Sequence, residues 1–274
     1  MDIQTQQFKL KETFNVAAAG YDNPALRFFV HAADRLADSM ALTGCEHILD
    51  VACGTGAVSL ACAERLSQGQ VTGVDLSEGM LDKARAKAAH RQLDNVSFQC
   101  ADLDSMDFGG EVFDGACCGF GIFFLPDMEA AIRVIAGHVR PGGAIGITSF
   151  TGKVMEPMST AFIDRIREYG VDIPPLSWKR LDEVAKHQAL YASAGIDQVT
   201  TQAVQVGYDL TGFGEWWDIL WFSAFRGLLN QLSESELARF KQEHQIEIER
   251  FATDGRIGLN VDVLVSVGHK PQAG

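Results

Sequence analysis

Several features that would place this chain in another class are missing from it. No uninterrupted apolar stretch approaches the ~20 residues needed to cross a bilayer. The 47% of hydrophobic residues in its 274 positions therefore belong to a buried core, and no membrane insertion is expected. Positive charge is scarce: 23 Lys and Arg against 36 Asp and Glu give a formal net charge of −13. That balance argues against a surface for nucleic-acid backbones, so no nucleic-acid partner is expected. The six cysteines (Cys45, Cys53, Cys62, Cys100, Cys117 and Cys118) form no C-x-x-C pair, so neither a zinc site nor a redox pair is expected. Met1–Gln7 lacks a basic region followed by an apolar run, so no secretory signal is read there and a cytoplasmic location with reduced thiols is expected. Low-complexity tracts and internal repeats are absent as well.

What is present begins with Asp50-Val51-Ala52-Cys53-Gly54-Thr55-Gly56. Ile48 to Val51 reads as a buried parallel strand, and Gly54 and Gly56 turn it into a small-residue helix from Ala57. With no side chain at the glycines, a ligand can approach backbone N–H groups, while Asp50 sets a carboxylate at the strand tip. That pairing suits a nucleotide-like ligand that also carries an amine. Val71 to Asp75 is a second apolar strand, ending in an acid nineteen residues after Gly56. A carboxylate there can accept from both hydroxyls of a ribose. Ser77 reads as an N-cap with Glu78 in the first turn and Met80, Leu81 and Ala84 on one face. Val96 to Cys100 forms a third strand running into Ala101-Asp102-Leu103, and Phe113 to Cys118 a fourth leading to Gly119-Phe120-Gly121. A helix over Met128 to Val139, a turn at Arg140-Pro141-Gly142-Gly143 and a strand over Ala144 to Thr148 follow. Strand and helix in alternation predict an α/β fold, a parallel sheet with helices on both faces. Ligands of such sheets sit beyond the carboxyl ends of the strands, where Asp50, Asp75 and Asp102 all fall. A lone strand-end aspartate is most often a turn former or cap; three in this order are not readily explained that way. Asp114, near the start of its strand, reads as a packing or turn residue.

These motifs together resemble the class I S-adenosylmethionine-dependent methyltransferases, most closely the ubiquinone and menaquinone methyltransferase group and its small-molecule relatives. The resemblance runs through roughly Phe14 to Phe150. Ala52 stands where most members have glycine. It implies a Rossmann-like, mostly parallel seven-stranded sheet with an N-terminal helical cap and a helical insertion before the last strand. It also implies S-adenosyl-L-methionine as cofactor and roles for matching positions. Asp50 would take the methionine ammonium, with Ala52, Gly54 and Gly56 around the methionine portion and ribose. Asp75 would hold the ribose hydroxyls, with Leu76 and Met80 beside the adenine. Asp102 would accept from the adenine amino group, and Leu103 would offer a backbone N–H to the ring. Cys118 and Gly119 would lie along the methionine chain, and Tyr21 would either close over the cofactor or staple the cap to the core. For Cys117 and Cys118 the alternative is two small residues filling a buried strand.

The implied organisation is a cap over residues 1–45, a cofactor-binding core over 46–150 and, over 151–274, a C-terminal part of the same domain with acceptor-site insertions. Helices are predicted over Pro24 to Met40, Lys153 to Tyr169, Leu181 to Ala194 and Glu234 to Ala252, and strands over Val199 to Tyr208 and Ile257 to Val267. The aromatic run Gly212 to Phe222 reads either as a wall for a flat, lipophilic acceptor or as core or a homodimer surface. Core is favoured for most of it, with one or two rings toward substrate. His31, His138, His187 and His244 fall in predicted helices and read as surface or packing residues, so no catalytic base is assigned. A small-molecule acceptor is the expected partner. The competing readings are a nicotinamide-dependent oxidoreductase, disfavoured by the missing third glycine, and a non-catalytic cofactor-binding module.

Overall fold

Five strands, most of them joined by helices, pair side by side. The computed structural model describes residues 11–103, 106–110 and 112–272, so the leading stretch Met1–Gln7 lies outside the described residues. Strands β1 (His47–Val51), β2 (Gln70–Asp75), β3 (Val96–Cys100), β4 (Phe113–Gly119) and β5 (Val139–Phe150) are mutually parallel. With β6 (Asp197–Gln205) and β10 (Asp262–His269) they form a seven-stranded sheet of order β3-β2-β1-β4-β5-β10-β6, with β10 antiparallel to both its neighbours. This is the Rossmann-like, mostly parallel seven-stranded sheet that the family resemblance implies. The strand order reverses at β1 and β4, which opens a crevice at their carboxyl ends.

The helices are α1 (Phe28–Ser39), α2 (Ala57–Ala63), α3 (Glu78–His90), α4 (Met128–Gly137), α5 (Met158–Glu168), α6 (Val184–Ser193), α7 (Phe213–Phe222), α8 (Arg226–Leu229) and α9 (Glu234–Glu249). Helix α1, preceded by a 3-10 turn at Pro24–Leu26, packs on α2, β5 and β10. Its buried Phe28, Ala32, Ala33, Leu36 and Ala37 follow the helical period. Ser77 caps α3 as read, its hydroxyl accepting from Met80 N at 3.2 Å. A full capping box, Ser233 with Glu236, starts α9. Helix α5 begins at Met158 rather than Lys153 because Pro157, without an N–H to donate, occupies the N-cap.

Two strands differ from expectation. Strand β5 runs from Val139, through the expected turn; Phe113 pairs with Val139 and Gly115 with Ala144, so Arg140–Gly143 bulge out opposite Asp114. Asp114 holds that bulge by accepting from Arg140 Nε (2.7 Å) and His47 N (2.8 Å), a structural role away from the crevice. The run from Ile257 to Val267 is two strands, not one. Strand β9 (Arg256–Leu259) leaves β10 to join β7 (Tyr208–Leu210) and β8 (Ala252–Thr253) in a separate antiparallel sheet. The insertion before the last strand is therefore part sheet. The break falls at the same level in both partners, where the Gln205 side chain accepts from Gly207 N (2.6 Å) and Val261 N (2.8 Å). That one amide replaces the ladder bonds lost as the strands turn away.

Two buried histidines lock the C-terminal layers. His187, on α6, sits between Ser149 Oγ (2.7 Å) and Ser266 Oγ (2.7 Å), and burial lowers its pKa to about 4. Trp216 Nε1 can only donate, so His244 Nε2 accepts it (2.9 Å), leaving His244 Nδ1–H to face Glu247 at 3.2 Å. Burial lowers the His244 pKa too, in keeping with that neutral tautomer.

Candidate functional site

The crevice holds two cavities, of about 840 and 300 Å³, that meet at Tyr21; Ala52, Gly54, Gly119 and Phe120 also line both. After β1 the backbone enters the left-handed region at Ala52 (φ 54°), Gly54 (φ 54°) and Gly56 (φ 82°). Cys53 N closes the turn onto Val74 O at 3.0 Å. A Cβ on Gly54 would meet nothing within 4 Å, so this residue opens onto the cavity. Gly56 does something else. A Cβ there would touch Ala84 at 3.0 Å and Phe98 at 3.2 Å, and Gly56 is not among the lining residues. It serves the turn and the packing of α3 and β3.

The three strand-end acids face the crevice. Asp50 is fully buried and lines the smaller cavity. Its Oδ2 accepts from Ser59 Oγ at 2.6 Å, while Oδ1 has no hydrogen-bond partner among the described residues. Burial pushes its pKa up to about 7. A buried carboxylate oxygen without a donor is costly, and a cationic amine is the group that would satisfy it. Asp75 accepts from Gly54 N and Ser77 N, both at 2.8 Å, which fixes its carboxylate against the glycine turn; burial raises its pKa. Asp75, Asp102, Leu76, Met80 and Leu103 all line the larger cavity. Cys118 does not: it is buried behind the wall, where its Sγ lies 3.1 Å from the point a Cβ on Gly121 would occupy, and burial pushes its thiol up to about 12. Its placement matches the strand-filling alternative. Gly119 does line both cavities.

Tyr21 stacks on Phe29 (centroids 5.4 Å, 14°), and burial raises its pKa, keeping the phenol protonated. The segment around it bridges the molecule. Asn15 Oδ1 accepts from Ser77 Oγ (2.6 Å), and Asp22 takes Lys87 Nζ (2.6 Å) and Thr55 Oγ1 (2.8 Å). On the other side Asn23 reaches Asp218 (3.3 Å) and Arg27 pairs with Glu215 (3.3 Å). Tyr21 thus packs its ring on Phe29 of the cap helix and lines both cavities.

The aromatic walls come from the N-terminal segment and the loop after β4. Phe14, Phe120 and Phe124 line the larger cavity, with Leu125 and Pro174. None of Trp216, Trp217, Trp221, Phe222 and Phe225 lines either cavity. Trp216 and Trp217 are buried, and Phe222 packs where a Cβ on Gly20 would fall. The expected ring or two facing substrate from this cluster is corrected accordingly. His187 and His244 bond within the core as described, and neither they nor His31 and His138 line either cavity.

Residues 48–143 match a family model described as a methyltransferase domain. Aklanonic acid methyltransferase DauC of Streptomyces sp. (strain C5) is 35% identical over 151 residues, 54% of this chain and 68% of the relative. The chain belongs to the S-adenosylmethionine-dependent methyltransferases. A demethylmenaquinone methyltransferase of Listeria monocytogenes is 31% identical over 148 residues, 52% of this methyltransferase and 62% of the relative. Among solved structures, the YcgJ protein of Bacillus subtilis superposes with a TM-score of 0.57 at 19% identity, covering 89% of this chain and 99% of that one. That likeness speaks for the fold. Within this methyltransferase, sequence reasoning missed Asp22, Thr55 and Lys87 at the smaller cavity and Phe14, Phe120 and Arg180 at the larger. Their partners lie far away in the chain; Asp22 and Lys87 are 65 positions apart.

Among the described residues no helix is long and apolar enough to cross a membrane.

Proposed function

We propose that the chain moves a methyl group from S-adenosylmethionine to a small, flat, lipophilic acceptor by in-line displacement. The carrying observation is the unpartnered, buried oxygen of Asp50 in a crevice that also holds Asp75 and Asp102. In this reading Asp50 takes the ammonium of the cofactor, Asp75 the ribose hydroxyls and Asp102 the adenine amino group. Ala52, Gly54 and Gly119 follow the methionine portion, Leu76 and Met80 pack on the base, and Leu103 offers its N–H. Gly56 supports the turn and Cys118 backs the wall. Tyr21 covers the junction of the two cavities. When bound, S-adenosylmethionine supplies an electrophilic methyl on a sulfonium leaving group. The chain's tasks are then alignment and exclusion of water. The Phe14, Phe120 and Phe124 walls serve both for a flat acceptor. The reduced, unpaired cysteines suit a cytoplasmic setting.

Equilibrium binding of S-adenosylhomocysteine, the demethylated product, tests this. Asp50→Asn is expected to weaken binding by about 30-fold or more, the cost of removing one partner of a buried ion pair. Unchanged affinity in that variant would remove the carrying observation.

A further inference from the structure

Arg180 stands at the rim of the larger cavity, on the 3-10 turn Ser177–Leu181. The turn is anchored from behind, where the Leu181 carbonyl accepts from Ser149 Oγ (2.5 Å) and lies 3.2 Å from His187 Nε2. In front, Arg180 Nη1 donates to the carbonyls of Phe123 (3.1 Å) and Leu125 (2.6 Å), and Nη2 to that of Pro126 (2.9 Å). These carbonyls belong to the loop after β4, which carries Phe124, Leu125 and Pro126 into the cavity wall. The guanidinium is thus held in one orientation by neutral groups.

A guanidinium has five N–H donors, and three are used here. The Nε–H and the second Nη2–H have no acceptor among the described residues, and no described carboxylate pairs with the charge. This is a cation held in place in the lining of a cavity that also carries Phe14, Phe120 and Phe124. Lys11 also lines this cavity, but no hydrogen bond or ion pair among the described residues fixes its ammonium, whereas three carbonyls hold Arg180. Asp75 and Asp102, assigned to the cofactor in the proposed function, line the same cavity. An anion entering it is repelled by those two acids and drawn toward Arg180, which can offer two donors to an oxygen pair.

The geometry points to Arg180 as the specificity-determining residue for an acceptor that carries a carboxylate or a comparably acidic oxygen. The flat body of that acceptor lies among Phe14, Phe120 and Phe124 while Arg180 holds its charged end. This rests on the methyltransferase reading above and adds the chemical class of the substrate.

The test uses the full chain saturated with S-adenosylhomocysteine and two probes of one shape, 2-naphthoate and 2-naphthamide, followed by fluorescence or calorimetry. The naphthoate is expected to bind at least about tenfold more tightly. In Arg180→Gln the ratio should fall close to one, with S-adenosylhomocysteine affinity within about twofold of wild type. Arg180→Lys, which keeps the charge but loses the fork, should retain part of the preference. Equal affinities in the wild type, no naphthoate binding at millimolar concentration, or a preference that survives Arg180→Gln would each overturn the assignment. Absence of S-adenosylhomocysteine binding to the wild type would instead count against the methyltransferase reading.

Discussion

Asp50 is the residue on which the most chemistry turns. With its pKa pushed up to about 7 by burial, the free protein holds it largely protonated below neutrality. A cationic amine binds its ionised form. Affinity for S-adenosylhomocysteine is therefore expected to fall as the pH drops from about 8 to 5.5, approaching tenfold per unit below the pKa. Calorimetry across that range measures it, and Asp50→Asn should flatten the dependence. A second prediction concerns Ala52, whose methyl stands 2.6 Å from where a Cβ on Gly121 would be. The two positions share one space, so the alanine here requires glycine there. Gly121→Ala should destabilise the fold by about 1–3 kcal/mol through overpacking. Adding Ala52→Gly should recover most of it, which thermal unfolding of the two variants and their combination would reveal as strong coupling.

Element by element, the parts differed in how far the sequence exposed them. The strand–turn–helix units of β1 to β4 were legible because each is local: an apolar run, a turn residue and a cap within a few positions. Ser77 is an example, and Ser77→Ala should cost about 1 kcal/mol in denaturant unfolding. The division of β9 from β10 was hidden because Ile257, Leu259, Val261 and Val263 keep their burial alternation straight through the break. Nothing in a period-2 pattern marks the point where a strand changes sheets; the compensating Gln205 lies more than fifty positions away. Arg180 was equally invisible, because its three acceptors are backbone carbonyls and carry no side-chain signature. The buried aromatic run of α7 was ambiguous for the opposite reason: core and pocket wall use the same residues at the same spacing.

The His187 layer and Asp50 set opposing pH effects on stability. His187, neutral when buried, has a folded pKa of about 4 against an ordinary 6.5. It contributes stability in full above 6.5 and loses it as the pH falls toward 4, on the order of 3 kcal/mol. Asp50 is shifted the other way, from 3.8 to about 7, so its contribution is complete below about 4 and disappears as the pH rises through 7. The two slopes oppose each other between pH 4 and 7. Denaturant unfolding of Asp50→Asn should therefore show stability rising with pH in that window more steeply than in the wild type; parallel curves would contradict these assignments.

At the scale of the whole molecule, the sheet, the bridging segment at Asn15 to Arg27 and the turn at Ser177–Leu181 converge on one crevice made of two cavities. The larger cavity brings together Asp75 and Asp102, the guanidinium of Arg180 and the rings of Phe14, Phe120 and Phe124. Net charge contributes nothing to that selectivity, since −13 spread over the surface is screened within about 10 Å at ordinary ionic strength. Selectivity is carried by the few groups whose partners are neutral or absent. The most direct test of the central claim is titration calorimetry of S-adenosylhomocysteine into the purified, folded chain. One molecule bound per chain, with affinity at least about tenfold weaker in Asp75→Ala, is the predicted result. No heat with the wild-type protein, or undiminished binding by Asp75→Ala, would contradict it.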